Sequence, residues 1–125
     1  MRFLQELISS IKAGWHAGRG HKATRQGELE KALRHYELAV EYEKRSEKDG
    51  SGLSPVTLEC LARAHARLGN YKEATTLAEQ CRELYMQQYP GTKLVSDCLA
   101  RIEHFIALLH AGNTNAINKF IAIAR

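Results

Sequence analysis

Prolines and long apolar runs are scarce in this chain of 125 residues. It has two prolines and nine glycines, too few for the many tight turns of an all-β fold. No run of about 18 consecutive apolar residues occurs, so we expect no transmembrane helix. The N-terminal stretch lacks the long apolar run and small-residue cleavage site of a secretory signal, and we expect none. The composition, 44% hydrophobic and 26% charged, predicts a single globular domain.

Cysteine is also infrequent, and its pattern argues against zinc. The three residues Cys60, Cys81 and Cys98 form no CxxC pair and have no histidine at a ligand spacing. Each lies in an apolar, periodic stretch, where a thiol acts as a small buried hydrophobe. We therefore expect no disulfide framework and a reducing, cytoplasmic compartment.

Aspartate is nearly absent, and the histidines are poorly spaced for chemistry. Asp49 and Asp97 are the two aspartates. His16 and His21 are five positions apart, which misses the three or four that place two ligands on one helical face. No nucleophile–base–orienter set and no glycine-rich phosphate loop can be recognised. The sequence predicts a protein that is not an enzyme and has no cofactor.

Acidic residues are missing from one stretch. Lysine and arginine outnumber acids by 18 to 14, and the excess lies near the N-terminus, where no acid occurs between Ser9 and Gly27. The cations there are Lys12, Arg19, Lys22 and Arg25. Such a stretch attracts an acidic peptide, a nucleic acid or an anionic membrane, or is a solvated face that keeps the protein in solution. Trp15 is the single aromatic beside these cations, so the sequence shows no platform for stacking bases.

What the chain does have is helical periodicity nearly throughout. An apolar stripe opens it, consisting of Phe3, Leu4, Leu7, Ile8, Ile11 and Trp15. The stretch that follows, 14–26, is rich in glycine and is predicted to be a weak helix. Stronger helices are predicted at 28–47, 55–68, 71–89, 94–110 and 116–125.

The ends of these helices carry recognisable signals. Gly27 and Gly69 are suited to the left-handed conformation that ends a helix, and Gly112 breaks a later one. Ser54 followed by proline is a helix start, and Thr92 is a candidate N-cap. A glycine-rich break is predicted at 48–52 and another at 90–91.

Two stretches of the chain are similar to each other at an offset of 42 residues. The offset aligns Gly27 with Gly69 and Ala32 with Ala74. Extended backwards, it aligns Gly20 with Ala62. A repeated helix–turn–helix of this length indicates an array in which each pair covers its neighbour's apolar face. We expect the small residues to mark the places where two helices cross closely.

These residues resemble the tetratricopeptide repeat, in a 42-residue variant similar to that of kinesin light chains. The resemblance implies an all-α fold, with antiparallel helix pairs stacked as a short right-handed solenoid of about six or seven helices. It implies an N-terminal amphipathic helix at 1–12, repeats at 13–49 and 54–90, and a degenerate repeat with capping helices at 92–125.

The resemblance also assigns a concave groove to the first helix of each repeat. The implied groove residues are His21, Arg25, Glu59, Arg63, Arg67, Arg101 and His104. A row of guanidinium groups suits carboxylates, which they bind with two parallel hydrogen bonds. An acidic protein segment or a C-terminal carboxylate is therefore the expected ligand. The alternative is that the arginines pair with Glu59, Glu79 or Glu103, or lie solvated.

Both ends of the chain are apolar, whereas repeat arrays usually end in a polar face. We therefore predict a homodimer or a larger partner that covers one end through Phe3, Leu7, Ile117, Phe120 and Ile121. The N-terminal stripe has three alternatives: it packs on the first repeat, packs on a second copy, or attaches peripherally to a membrane. A protein partner ranks above nucleic acid and membrane.

Overall fold

The computed structural model describes residues 2–47, 52–88 and 91–123, and over these residues it is all-α, with six helices and no strand. The helices are α1 (Arg2–Arg25), α2 (Leu29–Arg45), α3 (Pro55–Arg67), α4 (Tyr71–Gln88), α5 (Lys93–Ala111) and α6 (Thr114–Ile123). The fold class predicted from the sequence is confirmed. Of the predicted breaks, 48–51 and Pro90 lie outside the described residues, as do the predicted helix ends at Tyr89 and 124–125.

The chain divides into two compact units, Met1–Thr57 and Leu58–Arg125. In the first unit α1 packs against α2, and in the second α4 packs against α5 and α5 against α6. The packing of consecutive helices is consistent with a helical-repeat arrangement.

In the first unit, the predicted amphipathic helix and the predicted weak helix form one continuous helix, α1. Its Gly20 is required by a close contact with α2. A Cβ atom at Gly20 would lie 2.7 Å from Cε1 of Tyr36, closer than two carbon atoms approach. The hydroxyl of Tyr36 lies 2.7 Å from Nδ1 of His21 and so anchors the ring. Ala32 is buried as expected, but the close partner of Gly20 is the tyrosine.

The helix ends follow the predicted local chemistry. Gly27, Gly69 and Gly112 have φ angles of 76°, 81° and 68°, a region that favours glycine because it has no Cβ. The Thr92 hydroxyl caps α5 by accepting a hydrogen bond from the N–H of Val95 at 3.2 Å. These signals were readable because each depends on a few consecutive residues.

The core of the second unit contains one of the three thiols. Cys81 is fully buried, as the sequence predicted, and burial raises the pKa of its thiol well above the ordinary value. Cys60 and Cys98 are half-buried. Cys81 therefore acts as a small neutral hydrophobe in this core.

Candidate functional site

A buried carboxylate on α3, that of Glu59, lies between two guanidinium groups. Arg101 of α5 donates to it twice, from Nη2 to Oε1 at 2.8 Å and from Nε to Oε2 at 3.0 Å. Arg63, one turn further along α3, donates from Nη2 to Oε2. The hydroxyl of Tyr85 on α4 donates to Oε1 at 3.3 Å. These four residues are the Glu59 cluster.

The Glu59 cluster carries one more positive charge than negative charge. Glu59 is only 5% exposed, and a carboxylate this buried is tolerated when several donors compensate its lost hydration. The hydrogen bond with Glu59 raises the pKa of Arg101. Burial, followed by the negative charge of Glu59, raises the pKa of Tyr85. Both shifts keep Arg101 charged and Tyr85 a neutral donor. The side chain of Arg101 is 37% exposed, so this guanidinium reaches the surface.

An aromatic ring of α6 lies beside this charge. The Cζ atom of Arg63 lies 5.8 Å from the ring centroid of Phe120, within the range of a cation–π contact. The ring of His104 meets the same ring edge-on at 5.4 Å. The structure therefore brings together predicted groove residues from α3 and α5 around an apolar ring.

The remaining predicted groove residues are placed differently. Glu59 is buried beneath its arginines, so it orients them and does not line a surface. Arg67 is half-buried on α3. His21 and Arg25 are exposed residues of the first unit, and His21 is hydrogen-bonded to Tyr36. A groove shared by all these residues stays a prediction.

The residues predicted to contact another copy fall into two groups. Ile117 and Ile121 are 0% and 3% exposed, because α6 turns these side chains into the core of the second unit. They are therefore not available to a second copy. Phe120 is half-buried, whereas Phe3 and Leu7 are exposed. A contact with another copy through Phe3 and Leu7 stays a prediction.

The first unit contains an aromatic cluster that sequence reasoning missed. The Nδ1 atoms of His16 and His35 lie 3.0 Å apart, and the His16 ring stacks on Tyr42 with centroids 5.6 Å apart. Trp15 meets His16 edge-on at 4.9 Å, and Nζ of Lys12 lies 5.4 Å from the centroid of Tyr42.

The charge state of this aromatic cluster follows from its surroundings. Partial burial lowers the pKa of both histidines. Lys12 lowers the pKa of His16 further, and His16 followed by Arg19 lowers that of His35. The sequence showed Trp15 as a lone aromatic because two members of the cluster, His35 and Tyr42, lie on the other helix of the pair. An antiparallel alignment of α1 and α2 about Gly27 would have revealed them.

Comparisons with known proteins return no match, whether to family models, curated proteins or solved structures. No three histidine, cysteine, aspartate or glutamate side chains among the described residues are placed to hold a metal ion together. Every helix in the described ranges is too short or too polar to cross a bilayer.

Proposed function

We propose that the chain is a non-enzymatic interaction module of the tetratricopeptide type that binds an acidic protein segment or C-terminal carboxylate. The observation that carries the proposal is the pair of guanidinium groups held around the single carboxylate of Glu59. The side chain of Arg101 is 37% exposed and so reaches the surface. The planar fork of a guanidinium matches a carboxylate in shape and charge.

Glu59 prepares Arg101 for such a ligand. Two of the five N–H donors of Arg101 bind Glu59, which fixes the orientation of the exposed part of the side chain. A ligand carboxylate that meets a fixed guanidinium loses less binding energy to side-chain ordering. Phe120, whose ring lies against the guanidinium of Arg63, provides an apolar contact at the same cluster for the stem of a glutamate or for a C-terminal side chain.

The same proposal includes a compartment and a partner class. An odd number of cysteines without a CxxC pair supports a reducing compartment, and we place the protein in the cytoplasm. Helical repeats act by presenting an extended surface to another protein. The excess of 18 cations over 14 acids supports an acidic partner.

The test is a fluorescence-polarisation titration with a labelled oligo-glutamate peptide. An oligo-glutamine peptide of equal length controls for charge, and a C-terminally amidated peptide controls for the terminal carboxylate. The variant Arg101→Lys keeps the charge but loses the fork, so its affinity for oligo-glutamate is expected to fall roughly tenfold. Arg82→Lys on α4 is the matched control and is expected to bind like the unaltered chain. Circular dichroism at the titration temperature verifies that both variants are folded.

Two results would overturn the proposal. One is a folded Arg101→Lys variant that binds oligo-glutamate as tightly as the unaltered chain. The other is a single-stranded oligonucleotide of the same charge that binds as tightly as the peptide and whose affinity falls by the same factor in Arg101→Lys. That result would mean recognition of charge without recognition of the carboxylate.

A further inference from the structure

Helix α1 has a large apolar face that the described residues of the first unit leave largely exposed. We call it the outer face, and it consists of Phe3, Leu4, Leu7, Ile8, Ile11 and Trp15. All six side chains are between 43% and 74% exposed. We propose that the outer face docks onto the surface of an anionic lipid bilayer.

Most of the outer face points away from α2, and only the Trp15 ring at its end reaches α2, meeting His35 edge-on with centroids 6.1 Å apart. The residues of α1 that are buried are small: Ala13, Gly20 and Ala23. With about 100° of rotation per residue, the outer face is centred roughly 180° from these three residues. The ring of Tyr36 on α2 fills the space beside Gly20. The large side chains of the outer face therefore take no part in this contact between α1 and α2. The alternative that the N-terminal stripe packs on the first repeat is therefore not what the structure shows.

The charges of α1 complete an amphipathic membrane helix. The helix holds five lysine and arginine residues and one acid, Glu6. Lys12 and Arg19 border the outer face along one side, and two further cations, Lys22 and Arg25, continue it beyond Trp15. Basic residues at the edge of an apolar face attract anionic headgroups while their stems remain in apolar surroundings.

Trp15 lies where the apolar and basic parts of the outer face meet. Its ring is 57% exposed, and Cζ of Arg19 lies 5.2 Å from the ring centroid. Tryptophan and arginine side by side are typical of the headgroup level of a bilayer, because each has an apolar body and a polar end. No described helix can span a membrane, so α1 would lie along the surface with its axis in the plane.

Charge decides between a lipid surface and a second copy of the chain. A second copy would present another α1 with five lysine and arginine residues against one acid, Glu6, so two outer faces placed together would bring two positively charged helices against each other. Like charges brought together in this way cost free energy. An anionic bilayer instead offers a negative surface to the cations and an apolar layer to the large side chains.

The experiment uses Trp15 as its own probe, because it is the only tryptophan in the chain. Vesicles of pure phosphatidylcholine are compared with vesicles containing a third phosphatidylserine, at an ionic strength of about 0.15 M. Tryptophan emission is expected to shift to shorter wavelength with the anionic vesicles. Co-flotation with anionic vesicles is expected to exceed that with neutral vesicles by roughly tenfold or more.

Variants test which residues are responsible. Ile11→Glu places a charge in the outer face and is expected to reduce co-flotation at least roughly tenfold. The matched control, Leu38→Glu, alters an exposed apolar residue of α2 and is expected to change it little. The double variant Lys12→Glu/Arg19→Glu is expected to remove the preference for anionic vesicles. All the altered side chains are exposed, and circular dichroism verifies folding.

Three outcomes would overturn the proposal. The first is unchanged tryptophan emission with anionic vesicles. The second is a loss of self-association in Ile11→Glu, measured by sedimentation, while vesicle binding is unchanged; this would identify a second copy as the occupant. The third is a single-stranded oligonucleotide that quenches Trp15 when vesicles do not. None of these outcomes bears on the acidic-peptide proposal, whose residues lie in the second unit.

Discussion

The close contact between Gly20 and Tyr36 gives a sharp test of how α1 packs on α2. In Gly20→Ala, the new Cβ would lie 2.7 Å from Cε1 and 2.9 Å from Cδ1 of the tyrosine ring. The ring is 3% exposed and its hydroxyl is held by His21, so it cannot easily move aside. Overpacking of this kind costs about 1–3 kcal/mol, while alanine in place of glycine inside a helix gains about 1 kcal/mol. We therefore expect a net destabilisation of up to about 2 kcal/mol.

Gly18→Ala is the matched control, because no atom lies within 4 Å of its added Cβ. It is expected to stabilise the chain by about 0.5–1 kcal/mol. In a Tyr36→Leu background, Gly20→Ala should stabilise as well, because the ring that it meets is gone. The free energy of unfolding of the single and double variants is measured by urea denaturation followed by circular dichroism. If Gly20→Ala stabilises the unaltered chain as much as Gly18→Ala does, the packing described here is incorrect.

Three further predictions concern single contacts and pH. Glu59→Gln leaves two guanidinium groups around a neutral amide and is expected to lower the free energy of unfolding by about 3 kcal/mol, against little change for the exposed Glu83→Gln; equal effects in urea denaturation would contradict the buried ion pair. Thr92→Ala removes the cap of α5 and should cost about 1 kcal/mol in the same assay. Because the pKa values of His16 and His35 are lowered in the folded chain, the unfolded chain binds protons more readily, and stability should fall as pH drops below about 6.5. The double variant His16→Gln/His35→Gln should lose part of that dependence, and an unaltered pH profile would count against the lowered pKa values.

The helices and their ends were predictable because their causes are local. The left-handed glycines Gly27, Gly69 and Gly112 and the cap at Thr92 each depend on a few neighbouring residues. Apolar periodicity predicted the positions of α2 to α5 to within a few residues, because each of these helices buries one stripe of apolar side chains. The continuity of α1 through its glycines was not predicted, because it depends on the contact between Gly20 and a side chain of α2.

The orientation of α1 was predicted only in part, because the repeat offset marked Gly20 as a close helix crossing but left open where the large apolar stripe packs. Helix α1 offers two candidate faces, one with large apolar residues and one with small residues. A rule that buries the largest hydrophobes selects the first. In the structure the small face is buried instead. The ring of Tyr36 fills the space between α1 and α2, and only a residue as small as Gly20 fits opposite it. Similarly, the sequence left open whether the arginines pair with Glu59, Glu79 or Glu103, and the choice of Glu59 depends on its burial against α4 and α5.

The sequence separation of Glu59 and Arg101 bears on the hypothesis that residues 92–125 form a third, degenerate repeat. The two residues are joined by hydrogen bonds at a separation of 42 positions, the offset that aligns the two recognisable repeats. In a repeat array, equivalent positions on the first helices of successive repeats are neighbours. A direct contact at this separation therefore supports treating α5 as the first helix of a third repeat, although its sequence matches the pattern poorly. The equivalent position one repeat earlier is Ala17, which carries no charge. In this register the arginines of α3 and α5 would be expected to meet at one carboxylate, as the hydrogen bonds of Glu59 with Arg63 and Arg101 show, and the proposed binding of a ligand carboxylate rests on this convergence.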